Sequence, residues 1–583
     1  MDCIKNSNNI NLLWANIIVE ELIRHEIDYF CISPGSRSTP LTVAAARHSK
    51  SKCKILYDER GAAFHAIGYA RATKKPAVLI CTSGTAVANY YPAIVEASQE
   101  ALPVMVLSAD RPQELRNRGA NQTIDQDNIF GRYSRYFSEL PCPSLENPLG
   151  YVLQEVNRAI KKCMAVNGGP VQVNCMFREP LAPQKDAWPE DYISDISGWI
   201  EDEKPFLEVE KDIIQANESS FDEIVNMLND NKKGIIVVGR CEDAHSRKAV
   251  MDLAEHSGWP VFPDITSGLR LNSNSDKVIH YFDQLLLSEN LQDKLINFPV
   301  LHFGGQLVSK RLFKFLEKHK AGHIHIMPTD KKIDPANSVT NRIPFAIDRV
   351  INQVLPRIKN KSLLYKDLQM LSQAVHSCVL NFLKSQNIIN EISTAVSISK
   401  YIFNDTALFV ASSMPVRDLD MFAVPGKANI MIGSNRGASG IDGTIASAIG
   451  FANGLQRPLV LLIGDLAFIH DLNSLTMIKE CEQPVLIILI NNQGGGIFSF
   501  LPIAQYEDVF ERNFATPHSY SFEKIAELFS IKYFNPRTSD DFSSLFSQYQ
   551  YSKKPTLIEI KTNREENYKL HKNLQKQILS KLP

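Results

Sequence analysis

The sequence predicts an α/β protein with three doubly wound parallel-sheet domains. Short apolar runs recur along the whole chain, each bounded by turn residues. Helical stretches separate them, which is the alternation of a parallel sheet. The length, 583 residues, suffices for three domains with full cores.

Taken in order, residues 12–25 predict an amphipathic helix with Leu13, Ile17 and Leu22 turned inward. Residues 29–33 predict a strand that runs into Ser33-Pro34-Gly35-Ser36-Arg37-Ser38-Thr39-Pro40. Thr39 suits an N-cap and Pro40 the first helical position. A helix N-terminus beside Arg37 suits an anion, although a capped turn with a solvated arginine reads the same way. A strand at 54–57, the turn Asp58-Glu59-Arg60-Gly61 and a helix over 62–72 follow. Further strands are expected at 77–81, 104–107 and 171–174. Thr82-Ser83-Gly84-Thr85 and Ser108-Ala109-Asp110-Arg111-Pro112 end two of these, with Gly119-Ala120-Asn121-Gln122 just beyond. Residues 1–185 read as one domain, and 186–206, without a clear period, as a linker.

Residues 207–360 read as a central α/β domain with strands at 234–238, 300–303 and 324–327. It is poor in reactive groups apart from Ser309-Lys310-Arg311, which a plain helix start with solvated bases also explains. Residues 361–583 open with a helical stretch and carry strands at 408–410, 429–432, 459–463, 485–490 and 556–560. Ser412-Ser413-Met414-Pro415-Val416-Arg417 and Ser434-Asn435-Arg436-Gly437-Ala438-Ser439-Gly440 follow the first two. The first and third segments look like two similar folds.

The bulk properties narrow the function. With 63 basic and 64 acidic residues the formal charge is −1, so nothing demands nucleic acid or an anionic membrane. Ten cysteines are scattered without a CxxC pair, a reduced, cytoplasmic pattern. No apolar run approaches the roughly 18 residues of a membrane span, and the N-terminus does not read as a signal peptide.

The chemistry concentrates in residues 459–500. Two apolar runs, one ending at Gly464-Asp465 and the other at Asn491-Asn492 before Gly494-Gly495-Gly496, flank a helical segment. That is a βαβ unit, with Asp465 and Asn492 at carboxyl ends of strands, where open sheets bind ligands. A carboxylate, an amide oxygen and a carbonyl turned inward at Gly494 are hard ligands that suit Mg²⁺ bridging a diphosphate. Taken alone, a strand-end Asp or Asn is an ordinary turn former.

The pairing of Gly464-Asp465 with Asn491-Asn492 resembles the fingerprint of the thiamine-diphosphate enzyme family. The resemblance implies thiamine diphosphate held through Mg²⁺, or Mn²⁺ in its place, by Asp465, Asn492 and Gly494, with Gly464 and Ser413 on the cofactor. It implies that Glu59 is the catalytic carboxyl, hydrogen-bonded to the pyrimidine ring and tuned by an apolar pocket. Ile441 matches the apolar residue that bends the cofactor. The domains of this family meet across subunits, which implies a homodimer or a dimer of dimers. Leu466 replaces the usual glycine, and Asp471-Leu472-Asn473 marks one branch of the family.

Longer motifs are similar to the branch that decarboxylates 2-oxoglutarate and adds the succinyl unit to isochorismate in menaquinone biosynthesis. They are Ser33–Ser38, Asp110-Arg111-Pro112, Gly119–Gln122 and Asn435–Gly443. Both substrates are dicarboxylates, and Arg pairs with carboxylate through a planar fork. The resemblance implies substrate contacts from Arg37, Arg111, Gln122, Arg417 and Arg436; by residue type Ser36 and Asn121 suit neutral hydrogen bonds beside them, and Lys310 and Arg311 suit a reach in from the central domain. Arg417 and Arg436 go to the isochorismate or adduct side. Ser412 stands where the branch commonly has Asn. Another thiamine-diphosphate carboligase or decarboxylase is the nearest alternative, although Gly304-Gly305 lacks the GxGxxG spacing of a dinucleotide site. A non-catalytic anion-binding regulator on the same fold is the alternative of a different class.

Overall fold

The computed structural model describes residues 2–208, 218–241, 243–386, 388–426 and 429–583, the side chains of 2, 3 and 218 excepted. The expected central domain therefore includes a stretch, 209–217, outside the described residues. The chain divides into two compact units. One comprises 1–212 with 435–456 and 470–482; the other comprises 213–434, 457–469 and 483–583.

The first unit is built on a six-stranded sheet. Its strands are β1 (Tyr29–Ile32), β2 (Lys52–Ile55), β3 (Ala77–Cys81), β4 (Val104–Asp110), β5 (Phe137–Leu140) and β6 (Val171–Met176). They lie in the order β2-β1-β3-β4-β6-β5, all parallel. The helix Ile10–Arg24, capped by Asn9, is buried nearly all round, with Leu13, Ile17 and Leu22 fully inside. Its Glu21 is fully buried and accepts hydrogen bonds from Trp199 Nε1 (2.7 Å) and the Phe206 N–H (2.8 Å). These tie the turn Glu190–Ile196 and helix Ser197–Glu201 to the first core.

The second unit holds two sheets. The smaller has β7 (Ile235–Val238), β8 (Val261–Pro263), β9 (Val300–Phe303), β10 (His323–Met327) and β11 (Asn341–Pro344), in the order β11-β10-β9-β7-β8. The larger has β12 (Ala407–Val410), β13 (Met431–Gly433), β14 (Leu459–Gly464), β15 (Val485–Asn491), β16 (Lys532–Phe534) and β17 (Thr556–Lys561). Its order, β13-β12-β14-β15-β17-β16, repeats that of the first sheet strand for strand. The likeness of the two terminal segments is thus a likeness of topology. Strands β14 and β15 are buried along nearly their whole length, which is why they read as unbroken apolar runs.

Three local expectations need correction. Thr39 is not the N-cap: Ser38 occupies that position, and the Thr39 hydroxyl donates to the Ser36 carbonyl at 2.7 Å. The helix expected at 62–72 begins at Glu59, because Asp58 caps it by accepting the Gly61 N–H at 3.2 Å. The single helix expected between β14 and β15 is a short α-helix, Asp465–His470, and a 3₁₀ stretch, Leu472–Glu480. The break falls at Asp471, whose fully buried carboxylate accepts hydrogen bonds from elsewhere in the first unit.

Candidate active site

In the second unit, β14 and β15 are register neighbours, Gly464 opposite Ile490, so Asp465 and Asn492 leave adjacent strands at the same end. Asp465 is buried. Its Oδ1 accepts the Leu466 N–H (2.7 Å) and its Oδ2 the Gly494 N–H (3.0 Å). Burial pushes this carboxyl above its ordinary range, opposed by the two N–H groups and by His518, whose Nε2 lies 3.3 Å from Oδ2. A divalent cation reverses that balance. Asn492 Oδ1 is buried and has no hydrogen-bond partner among the described residues. Gly494 has φ +143°, and a Cβ there would lie 2.2 Å from the Ala515 carbonyl oxygen, so only glycine fits. An orphaned amide oxygen, a buried carboxylate and a glycine loop fit Mg²⁺ carrying a diphosphate.

Ser413 ends the loop after β12 with φ +73° and ψ −134°, a conformation that costs a non-glycine residue about 1–3 kcal/mol. It heads the helix Met414–Phe422, which has no side-chain cap, so an anionic ligand suits that end. Arg417, one turn into this helix, donates to the Ser413 carbonyl.

The same unit brings together three of the expected basic residues. Lys310, Arg311 and Arg417 line one cavity of about 260 Å³. Arg311 pairs with Asp283, whose other oxygen accepts the Ser309 hydroxyl at 2.6 Å. Lys314 and Lys572 add two cations from helices Lys310–Lys318 and Arg564–Leu579. Ile497, Phe500 and Leu501 form an apolar wall that continues from the Gly494-Gly495-Gly496 loop.

The first unit holds the remaining candidates. Glu59 opens the helix Glu59–Thr73. Burial pushes the Cys81 thiol and the Tyr90 phenol upward, and the charge of Glu59 adds to both shifts. The helix packs against Thr444–Leu455, whose N-terminus follows Ile441. Arg37 is 4 % exposed; one Nη donates to the Phe177 carbonyl at 2.8 Å, and its Nε has no partner among the described residues. Burial lowers its pKa, and the charge of nearby Arg111 lowers it further. Glu179 opposes both effects, its carboxylate lying 3.7 Å from the other Nη of Arg37. Arg111 is held by the Asn121 carbonyl (2.9 Å from Nη2), and the Gln122 carbonyl accepts the Ser83 hydroxyl at 2.9 Å. Ser36 is exposed; Arg436 and Ile441 are half-buried.

The sequence reading did not single out His518, Lys314 or Lys572. Lys314 was open to detection, since it lies one turn beyond Lys310 on one helix face. His518 and Lys572 carried no local signal.

Three family models match in succession. Residues 14–129 match the N-terminal thiamine pyrophosphate-binding domain, 190–410 the middle domain and 425–560 the C-terminal thiamine pyrophosphate-binding domain of thiamine pyrophosphate enzymes. The class is thereby defined, and fold and site agree with it. Among curated relatives, the 2-succinyl-5-enolpyruvyl-6-hydroxy-3-cyclohexene-1-carboxylate synthase of Chlorobium limicola is 41% identical over 581 residues, covering 98% of both chains. The same-named synthase of Prosthecochloris aestuarii is 41% identical over 99% of both chains, and that of Chlorobium phaeobacteroides 42% over 98% of both. The chain belongs to this synthase family of the thiamine pyrophosphate enzymes.

Proposed function

We propose that the protein joins the succinyl unit of 2-oxoglutarate to isochorismate, releasing CO₂ and giving 2-succinyl-5-enolpyruvyl-6-hydroxy-3-cyclohexene-1-carboxylate for menaquinone biosynthesis. It is a thiamine-diphosphate-dependent transferase. When bound, thiamine diphosphate supplies the electron sink that decarboxylation and carbon–carbon bond formation require. Asp465, Asn492 and Gly494 would hold its Mg²⁺, for which Mn²⁺ can substitute; Gly464 and Ser413 line the same end. Glu59 would accept a hydrogen bond at the pyrimidine and fix its tautomer, and Ile441 would support the ring system.

The observation that carries the substrate class is the cavity bounded by Lys310, Arg311, Lys314, Arg417 and Lys572. Cations at this density suit ligands bearing several carboxylates, and the apolar wall from Ile497 suits the carbon skeleton between them. Arg37, Arg111, Asn121, Gln122, Ser36 and Arg436 would complete carboxylate and hydroxyl recognition. Arg311 would exchange Asp283 for a substrate carboxylate.

The domains run 1–185 for pyrimidine binding, 207–360 for the central domain and 361–583 for diphosphate binding, with 186–206 as linker. The working form is a homodimer or a dimer of dimers. Among the described residues no helix is long and apolar enough to cross a membrane. A cytoplasmic location is supported by ten scattered cysteines, nine of which are free among the described residues.

The test is to incubate the protein with thiamine diphosphate, Mg²⁺, 2-oxoglutarate and isochorismate, following CO₂ release and product mass. CO₂ release coupled to the succinylated adduct is the expected result. CO₂ release without an adduct points to a simple decarboxylase and sinks the assignment.

A further inference from the structure

Asp471-Leu472-Asn473 marks a branch of the family in the sequence, yet none of its side chains belongs to the cofactor or substrate set above. Its contacts, all within the first unit, converge on the two neighbours of Glu59. Asp58, on one side, caps the helix through Oδ1, which accepts the Gly61 N–H at 3.2 Å. Its other oxygen, Oδ2, accepts a hydrogen bond from Asn473 Nδ2, also at 3.2 Å. Arg60, on the other side, donates through Nη2 to the His470 carbonyl at 2.9 Å, and the same nitrogen lies 3.8 Å from Asp471 Oδ1. Asp471 is fully buried and accepts through Oδ2 the N–H groups of Ile445 (2.7 Å) and Ala446 (3.0 Å). It thereby caps the helix that follows Ile441. Ser474 donates to its Oδ1 at 2.8 Å, fixing the carboxylate's rotation.

We propose that Asp471 and Asn473 are positioning residues: they clamp both chain neighbours of Glu59 and tie that clamp to the helix that follows Ile441. The inference rests on the thiamine-diphosphate reading above and adds to it a cause for the branch motif. The motif begins six residues after Asp465 in the chain, so one short stretch carries the expected metal ligand and also sets the carboxyl expected at a cofactor pyrimidine. A carboxyl must sit within hydrogen-bond reach of its partner atom, and a displacement of about 1 Å costs up to 100-fold in rate.

The test uses the full-length protein loaded with thiamine diphosphate and Mg²⁺. It measures hydrogen–deuterium exchange at the thiazolium carbon per bound cofactor, cofactor affinity by calorimetry, and the kcat and KM for 2-oxoglutarate. Asn473→Ala removes an exposed side chain, so folding is not at stake. Exchange and kcat should fall together, on the order of 10-fold, with KM and cofactor affinity within about twofold because the metal clamp is untouched. Asn473→Asp, which sets two carboxylates face to face, should fall at least as far. The double variant Asp58→Asn with Asn473→Asp restores the hydrogen bond with its polarity reversed, keeps the Gly61 cap, and should recover most of the exchange rate. A merely structural role would lower the bound fraction and leave the rate per bound cofactor unchanged. Wild-type exchange in both single variants, or no recovery in the swap, overturns the proposal while leaving the functional reading intact. A wild-type protein that binds no thiamine diphosphate overturns both.

Discussion

At the residue scale, the site divides into groups that chemistry made legible and groups that it did not. Asp465 and Asn492 were legible as candidates because hard oxygen ligands at strand ends stand out once they occur as a pair, and the two leave adjacent strands at the same end. Replacing Asp465 by Ala is expected to abolish thiamine-diphosphate binding at moderate Mg²⁺ concentrations, read by calorimetry; unchanged affinity would remove the metal site. Glu59→Gln is expected to cost at least about 100-fold in kcat, because an amide cannot trade a proton with the pyrimidine; rates like those of the wild type would remove Glu59 from its role. Glu391 shows what sequence reading could not reach. It is a helix-start acid by spelling, yet it is fully buried, and burial raises its pKa to about 7 from 4.5. Its Oε1 accepts the Thr562 hydroxyl at 2.6 Å, and its Oε2 has no partner among the described residues. Because the folded pKa is the higher one, the stability this group contributes is fully present below its unfolded value. It is lost as pH rises through about 7, and amounts to roughly 3 kcal/mol. Nearby His571 acts in the same direction: burial lowers its pKa, but the ion pair with Asp418 (2.9 Å) outweighs that and raises it. Urea melts at pH 5.5 and 8.5 should show Glu391→Gln losing less stability across that interval than the wild type; parallel losses would contradict the account.

At the scale of elements, the strands were read closely and the helix ends were not. Buried parallel strands are apolar throughout, so β3 and β9 fall on the expected residues and most of the other expected strands within one or two, whereas β5, β8, β11 and β16, each at a sheet edge, were not expected at all. Helix ends depend on which side chain reaches which N–H, and several candidates lie within one turn of each start. The helices Glu59–Thr73 and Thr444–Leu455 cross at close range through glycine. A Cβ at Gly68 would lie 2.1 Å from the Ser447 carbonyl oxygen, and one at Gly450 would lie 2.0 Å from that of His65. Backbone cannot move aside by changing rotamer. Gly450→Ala should therefore cost about 3 kcal/mol, the upper end for overpacking, and lower the urea midpoint; an unshifted midpoint would mean that the crossing is looser than described.

At the scale of the whole molecule, three matched domains and two sheets of identical strand order describe a thiamine-diphosphate enzyme. Such an enzyme binds its cofactor only when folded. Mg²⁺ with thiamine diphosphate at 100 times its dissociation constant should therefore stabilise it by about 2.7 kcal/mol, visible as a raised Tm that EDTA abolishes. Neither Mg²⁺ nor thiamine diphosphate alone should match the pair, because Asp465 and Asn492 would hold the diphosphate through the metal; an equal shift with either alone would count against that arrangement.

The sequence by itself determined the alternation of strand and helix, the hard-ligand pair at 465 and 492, and the motifs that spell the family. Periodicity, turn chemistry and ligand type are local properties, written in neighbouring residues. Only the tertiary structure decided that Lys572, near the C-terminus, shares a cavity with Lys310, Arg311 and Arg417. It alone decided that Asp471 is a buried cap and that the Asn492 oxygen lacks a partner. Those facts depend on which side chains far apart in the chain the fold brings together, in burial for Asp471 and the Asn492 oxygen, and such contacts leave no mark on the residues beside them.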